Sequence, residues 1–162
     1  MKTLAAVSLM TPLAGQHAHD VVQIAANHVN YKPRFFSKAQ YDTLKVLVDL
    51  IIPRTDTPGA ADAGAHRIID ATVWQNKAQQ SAWKDGLAEL DKKAGKPFRS
   101  LPEADQIALL KSSMDTKFFA LLKGATIDAY YSTKEGLSTE LGWNANTFLA
   151  EFKGCTHKEH QV

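Results

Sequence analysis

Apolar positions along this chain recur at three- and four-residue intervals, and no stretch alternates well enough to be a strand, so the pattern predicts an all-α fold. The first well-marked helix opens at Ser37. Ser37 as N-cap with Gln40 three residues on forms a capping box, and Tyr41, Leu44, Val48 and Ile51 share one face. Pro53, which lacks an amide hydrogen and crowds the preceding turn, stops the run. A second helix is expected from about Ala61 through Ile68, Ile69, Ala71 and Val73 to Trp74. A third runs from Gln79 to Ala94, turning Trp83, Leu87 and Leu90 inward, with Gly95 closing it and Lys96-Pro97 enforcing the break. A fourth opens near Pro102-Glu103 and presents Ile107, Leu110 and Met114. A fifth, from Asp115 to about Tyr131, places Phe118, Leu121, Leu122, Ala125 and Ala129 on its apolar side. Beyond Ser132 glycine, asparagine and threonine dominate, with isolated rings at Trp143, Phe148 and Phe152. The expected architecture is a compact bundle of about five helices followed by an irregular C-terminal arm pinned by aromatic side chains.

Two further segments lie outside these helices. Thr55, Asp56, Thr57, Pro58 and Gly59 are all turn formers, and their side chains are suited to bonding nearby amides, so this stretch is expected to be a structured loop. At the N-terminus Lys2 precedes an apolar run from Leu4 to Leu13 that ends in Ala14-Gly15, the form of a short signal segment over residues 1–16. It is too short to span a bilayer. Residues 17–36, with scattered His17, His19 and His28, read as a linker, and residues 37–162 as the helical domain.

Composition narrows the functional classes. A hydrophobic content of 44% in 162 residues suffices for one packed core. With 19 basic and 17 acidic residues the chain carries a formal charge of +2, which gives no concentrated positive field for nucleic acid. The single cysteine, Cys155, excludes an internal disulfide and any multi-cysteine metal site within this chain.

Recognised catalytic patterns are missing: there is no phosphate-binding Gly-x-x-x-x-Gly-Lys, no Gly-x-Gly-x-x-Gly, no Gly-x-Ser-x-Gly and no His-Glu-x-x-His. Carboxylates fall singly on polar faces, and pairing Asp56 with Asp62 or Glu135 with Glu140 as acid and base would be arbitrary. Cys155, His157 and His160 are the only grouping with metal-ligand character, and three readings of the cysteine stay open: a metal ligand, a bond to a cysteine of another chain, or a buried thiol. His66 beside Arg67 reads as a surface or capping histidine. Trp74 and Trp83 read as core or interface anchors, and Tyr130-Tyr131 as rings that pack inward with hydroxyls free for a partner or water.

Three blocks carry a resemblance. They are Ile51-Ile52-Pro53-Arg54-Thr55-Asp56-Thr57-Pro58-Gly59-Ala60 with Ala63-Gly64, then Phe118-Phe119 to Tyr130-Tyr131 with Glu135-Gly136, and last Leu141-Gly142-Trp143 with Phe152-Lys153-Gly154-Cys155-Thr156-His157. In this order and spacing the chain resembles the gluconate 2-dehydrogenase subunit 3 family, small subunits found beside large flavoproteins of the glucose-methanol-choline oxidoreductase class. The resemblance implies a subunit with no catalytic centre and no cofactor of its own, bound to a large FAD-containing dehydrogenase subunit that oxidises gluconate, glucose or a related polyol. A cytochrome c subunit would take the electrons onward. It further implies help in maturation, a twin-arginine export signal and a periplasmic location, soluble or held at the membrane through the complex. Here no twin arginine precedes the apolar run, only Lys2, which leaves the export route open. Tyr130, Tyr131, Trp143, Phe148, Phe152 and Cys155 are the expected partner interface, Cys155 as the site of a disulfide to the large subunit. The alternative is a free-standing periplasmic helical module that binds a metal or small ligand through Cys155, His157 and His160.

Overall fold

The computed structural model describes residues 31–143, and among these the regular elements are all helical. They are α1 (Lys38–Ile51), α2 (Ala60–Ala63), α3 (Ala65–Gln75), α4 (Gln80–Ala94), α5 (Glu103–Lys111) and α6 (Lys117–Tyr130). Short 3₁₀ turns at Lys77–Gln79 and Phe98–Ser100 join them, and a π-helical turn, Glu135–Glu140, follows α6. The all-α bundle expected from the sequence is what forms. No helix among the described residues is long and apolar enough to cross a membrane.

Helix α1 begins as its sequence dictates, with Ser37 Oγ accepting from Gln40 N and Gln40 Oε1 accepting from Ser37 N. Its Leu44, Leu47 and Val48 are fully buried. Helix α6 lies against α3, α1 and α4 and supplies Leu122, Ala129 and Tyr130 to the same core. Trp83 of α4 stands at the centre, meeting Phe36 and Phe118 edge-on at ring-centroid separations of 5.7 and 5.8 Å, the arrangement aromatic quadrupoles favour.

Three boundaries depart from the sequence pattern. The run expected as one helix from Ala61 to Trp74 is split at Gly64, whose φ of 86° caps α2 and launches α3 in a new direction. Alanines on both sides keep the apolar period unbroken, so the split leaves no mark in hydrophobicity. Helix α6 starts at Lys117 because Thr116 Oγ1 accepts from Phe119 N at 3.1 Å, and Met114, expected on the apolar face of the fourth helix, lies beyond its end and is exposed. Lastly, Tyr31 to Phe36, read as part of a linker, pack onto the domain, Phe36 within the core. The first stretch after α6 is also folded, since Gly136 is buried against the Tyr130 backbone so closely that a Cβ there would come within 2.4 Å of the Tyr130 carbonyl oxygen.

Candidate partner-binding surface

Three aspartates among the described residues fasten helices to the main chain of neighbouring segments. Asp70 of α3 is completely buried, and its carboxylate accepts four hydrogen bonds: Tyr31 Oη–H at 2.6 Å and the amides of Arg34, Phe35 and Phe36 at 2.7, 3.1 and 3.0 Å. A buried charge is tolerable only when its lone pairs are filled in this way. Burial and the neighbouring carboxylate push the Tyr31 hydroxyl well above its ordinary pKa, so it remains a donor. Asp49 accepts from Ala61 N at 3.1 Å, and Asp91 from Phe98 N at 2.7 Å. Each aspartate therefore leaves a helix to bind the main chain of a neighbouring segment. The sequence reading that placed carboxylates only on polar faces is corrected by Asp70, which had a signal: it interrupts the apolar series Ile68, Ile69, Ala71 and Val73.

His66 is buried rather than at the surface, because it shares a face of α3 with Ile69, Asp70 and Val73. Its ring meets Tyr41 edge-on at 5.1 Å. Burial, with Arg67 and Lys45 nearby, holds its pKa down at about 3, so it packs as a neutral ring and is no general base at neutral pH.

The loop from Thr55 to Gly59 is cross-braced. Thr55 N donates to Thr57 O at 3.1 Å, Thr55 Oγ1 donates to Asp56 at 2.9 Å, and Arg54 pairs with Asp62. A Cβ on Gly59 would lie 2.9 Å from Arg54 N, so the close return of the chain needs glycine there. Tyr130, expected to offer its hydroxyl to a partner, is instead fully buried and donates to Pro58 O at 3.0 Å, tying α6 to this loop. Tyr131 stays near the surface, donating to Glu140 Oε1 at 2.7 Å; this bond raises the tyrosine pKa and lowers that of Glu140. The two flank a cleft of about 460 Å³ with Asp56 and Thr57 on its other wall.

Large apolar side chains are left in solvent at several other places. Leu141 and Trp143 are 60% and 52% exposed at the end of the described chain, and Trp74 is 51% exposed at the end of α3. Met114 stands over a small cleft between α1, α5 and α6 of about 230 Å³, with Lys111 and Lys123 also lining it. A larger groove of about 580 Å³ runs between α3 and α6. Of the interface residues expected from sequence, Trp143 is exposed, Tyr131 is partly so and Tyr130 belongs to the core. Phe148, Phe152 and Cys155, and the metal candidates His157 and His160, lie outside the described residues. Among the described residues no three of histidine, cysteine, aspartate and glutamate are placed to hold a metal ion.

The family model described as gluconate 2-dehydrogenase subunit 3 aligns with residues 38–148, more than half of the chain and all six helices. No curated protein and no solved structure matches.

Proposed function

The chain belongs to the gluconate 2-dehydrogenase subunit 3 family, and from that premise we propose that it is the non-catalytic small subunit of a FAD-dependent sugar or sugar-acid dehydrogenase. In this reading the flavin and the oxidation sit in a large partner subunit, and a cytochrome c subunit accepts the electrons. The family match carries the proposal, because it spans the whole helical domain rather than one motif. The surface agrees with it. Leu141 and Trp143 expose large apolar area at the point where the chain passes on to Phe148 and Phe152, and exposed aromatic anchors of this type supply much of the affinity at protein interfaces. The hydrogen bonding agrees as well: buried Asp70, half-buried Asp49 and exposed Asp91 are spent on main-chain amides, and His66 is a neutral packed ring.

The N-terminal segment, with Lys2 and the apolar run to Leu13, fits a role in export, and the proposed site of action is the periplasm. The large subunit would travel with this chain and mature on it. Cys155 is the proposed point of a disulfide to the large subunit.

Co-expression with a large flavoprotein tests the assignment. The tagged chain is expected to retain that subunit through purification, and removing residues 142–162 is expected to weaken retention strongly. Undiminished recovery of the flavoprotein by the shortened chain would count against the C-terminal anchors. Non-reducing electrophoresis tests Cys155: a band at the sum of the two masses that reductant removes is the expected result.

A further inference from the structure

Residues 31–36 meet the domain along one edge of α3, and two apolar features beside that edge are left uncovered by them. Tyr31 Oη–H bonds the Asp70 carboxylate and the Arg67 carbonyl. Trp74 stands about two turns along the same face of α3 from Arg67, and it is half exposed. Further around α3 opens the α3–α6 groove of about 580 Å³, with Ile68, Thr72, Leu121 and Ala125 in its walls and Asp128 as the sole charged residue of the described lining. At Gly124 the α6 wall is open: a Cβ there would meet nothing within 4 Å, whereas a Cβ on Gly86 of α4 would run into the Phe118 ring.

The chain just before Tyr31 has the chemistry to cover both. Residues 21–30 read Val-Val-Gln-Ile-Ala-Ala-Asn-His-Val-Asn, with no aspartate, glutamate, lysine or arginine. A nearly uncharged lining accepts such a segment without desolvating an ion, and burying its valines and isoleucine is favourable. The C-terminal residues fit less well, because Glu151, Lys153, Lys158 and Glu159 would bring charges that only Asp128 is there to meet.

The route is set by what is already filled. Directly past Asp70 the way is closed, since Val73 is buried and Phe36 packs edge-on against Trp83. The open way runs around the outside of α3, over Trp74 and the exposed Gln75. With its side chains a helix is about 10–12 Å across, so half its circumference is about 17 Å, and residues 25–30 extended span about 20 Å. Val29 then falls over Trp74, and Ile24, Val22 and Val21 reach the groove. We propose that residues 21–29 of this chain are the occupant of the α3–α6 groove, entering it over Trp74. The inference needs no partner and stands apart from the small-subunit reading. It makes residues 21–36 one continuous strap on α3, and a partner is then met at other surfaces, such as that of Leu141 and Trp143.

Hydrogen exchange on the full chain, with residues 1–162 confirmed by mass, tests the strap. The amides of residues 21–29 are expected to exchange at least about tenfold more slowly than in a free peptide of the same residues. Gly124→Leu, whose side chain unlike a methyl group extends into the groove, is expected to erase that protection while the amides of Arg34, Phe35 and Phe36 stay protected by Asp70. Ile24→Asp, which alters no residue of the described domain, is expected to do the same. A photo-crosslinking phenylalanine derivative at position 72, on the exposed rim of the groove, is expected to join residues 21–29 of the same molecule. Peptide-like exchange of residues 21–29 in the wild type, protection that survives either substitution, or a crosslink that falls on residues 144–162, on a second copy or on nothing overturns the proposal.

Discussion

Asp70 of α3 and Trp83 of α4 are both fully buried, and the fold treats their polar atoms in opposite ways. Asp70 gathers four donors and ties Tyr31, Arg34, Phe35 and Phe36 to the domain. Trp83 Nε1–H, like His66 Nδ1, has no hydrogen-bond partner among the described residues, and the indole is held by its edge-on contacts with Phe36 and Phe118. Burial does not distinguish the two: Asp70 holds the fold by hydrogen bonds, Trp83 by the packing of its rings.

This contrast breaks most visibly at Asp70. Asp70→Ala leaves three amides without an acceptor and Tyr31 Oη–H with only Arg67 O at 3.2 Å, and a loss of about 3–5 kcal/mol is expected in urea unfolding. Native-state hydrogen exchange should then show rapid exchange at Arg34, Phe35 and Phe36, and protection retained there would remove Asp70 from its anchoring role.

Gly86→Ala sharpens the comparison of the two glycines. A Cβ at position 86 would stand 1.9 Å from Phe118 Cδ2, so α4 and α6 must move apart at a cost of about 1–3 kcal/mol. The same substitution at Gly124 is expected to raise stability by about 1 kcal/mol, since helix propensity improves and nothing is displaced. Opposite signs in thermal melts are the expected outcome; equal signs would mean that both glycines do the same work.

His66 gives an effect of intermediate size that depends on pH. Its folded pKa is held at about 3, against 6.5 for an ordinary imidazole. Between those values the unfolded chain binds a proton that the folded chain excludes. Stability is therefore full above 6.5 and falls as the pH drops towards 3, by about 1.4 kcal/mol per pH unit. From pH 7 to pH 5 the loss is about 2 kcal/mol, and His66→Phe, which keeps a ring against Tyr41, is expected to flatten that part of the profile. An unchanged slope in the variant would show that the titration belongs to another group.

Much of the helical frame was legible in order of residues, because its signals are local. Ser37 with Gln40, Pro53, and Gly95 act on neighbours a turn away, and α1 and α4 form close to where those signals place them. What was not legible depends on pairs far apart in the chain. Tyr31 and Phe36 look like linker until Asp70, some 34 to 39 residues later, is seen to collect their polar groups. Tyr130 reads as an inward ring with a hydroxyl free for a partner or water until that hydroxyl is found on Pro58, 72 residues away. The split at Gly64 is hidden for a different reason: left-handed backbone is not written in hydrophobic periodicity. The groove also needed three dimensions, since Trp83 of α4 and Gly124 of α6 are ordinary residues of separate helices until packing brings them into one lining.

The most direct test of the central claim is co-purification of the tagged wild-type chain with its large subunit, read by the flavin spectrum of the eluate. The account predicts that the large subunit and its flavin elute with the chain, and that the chain expressed alone elutes colourless and oxidises no gluconate or glucose. Turnover of either substrate by the chain alone, or an eluate free of flavoprotein, would contradict it.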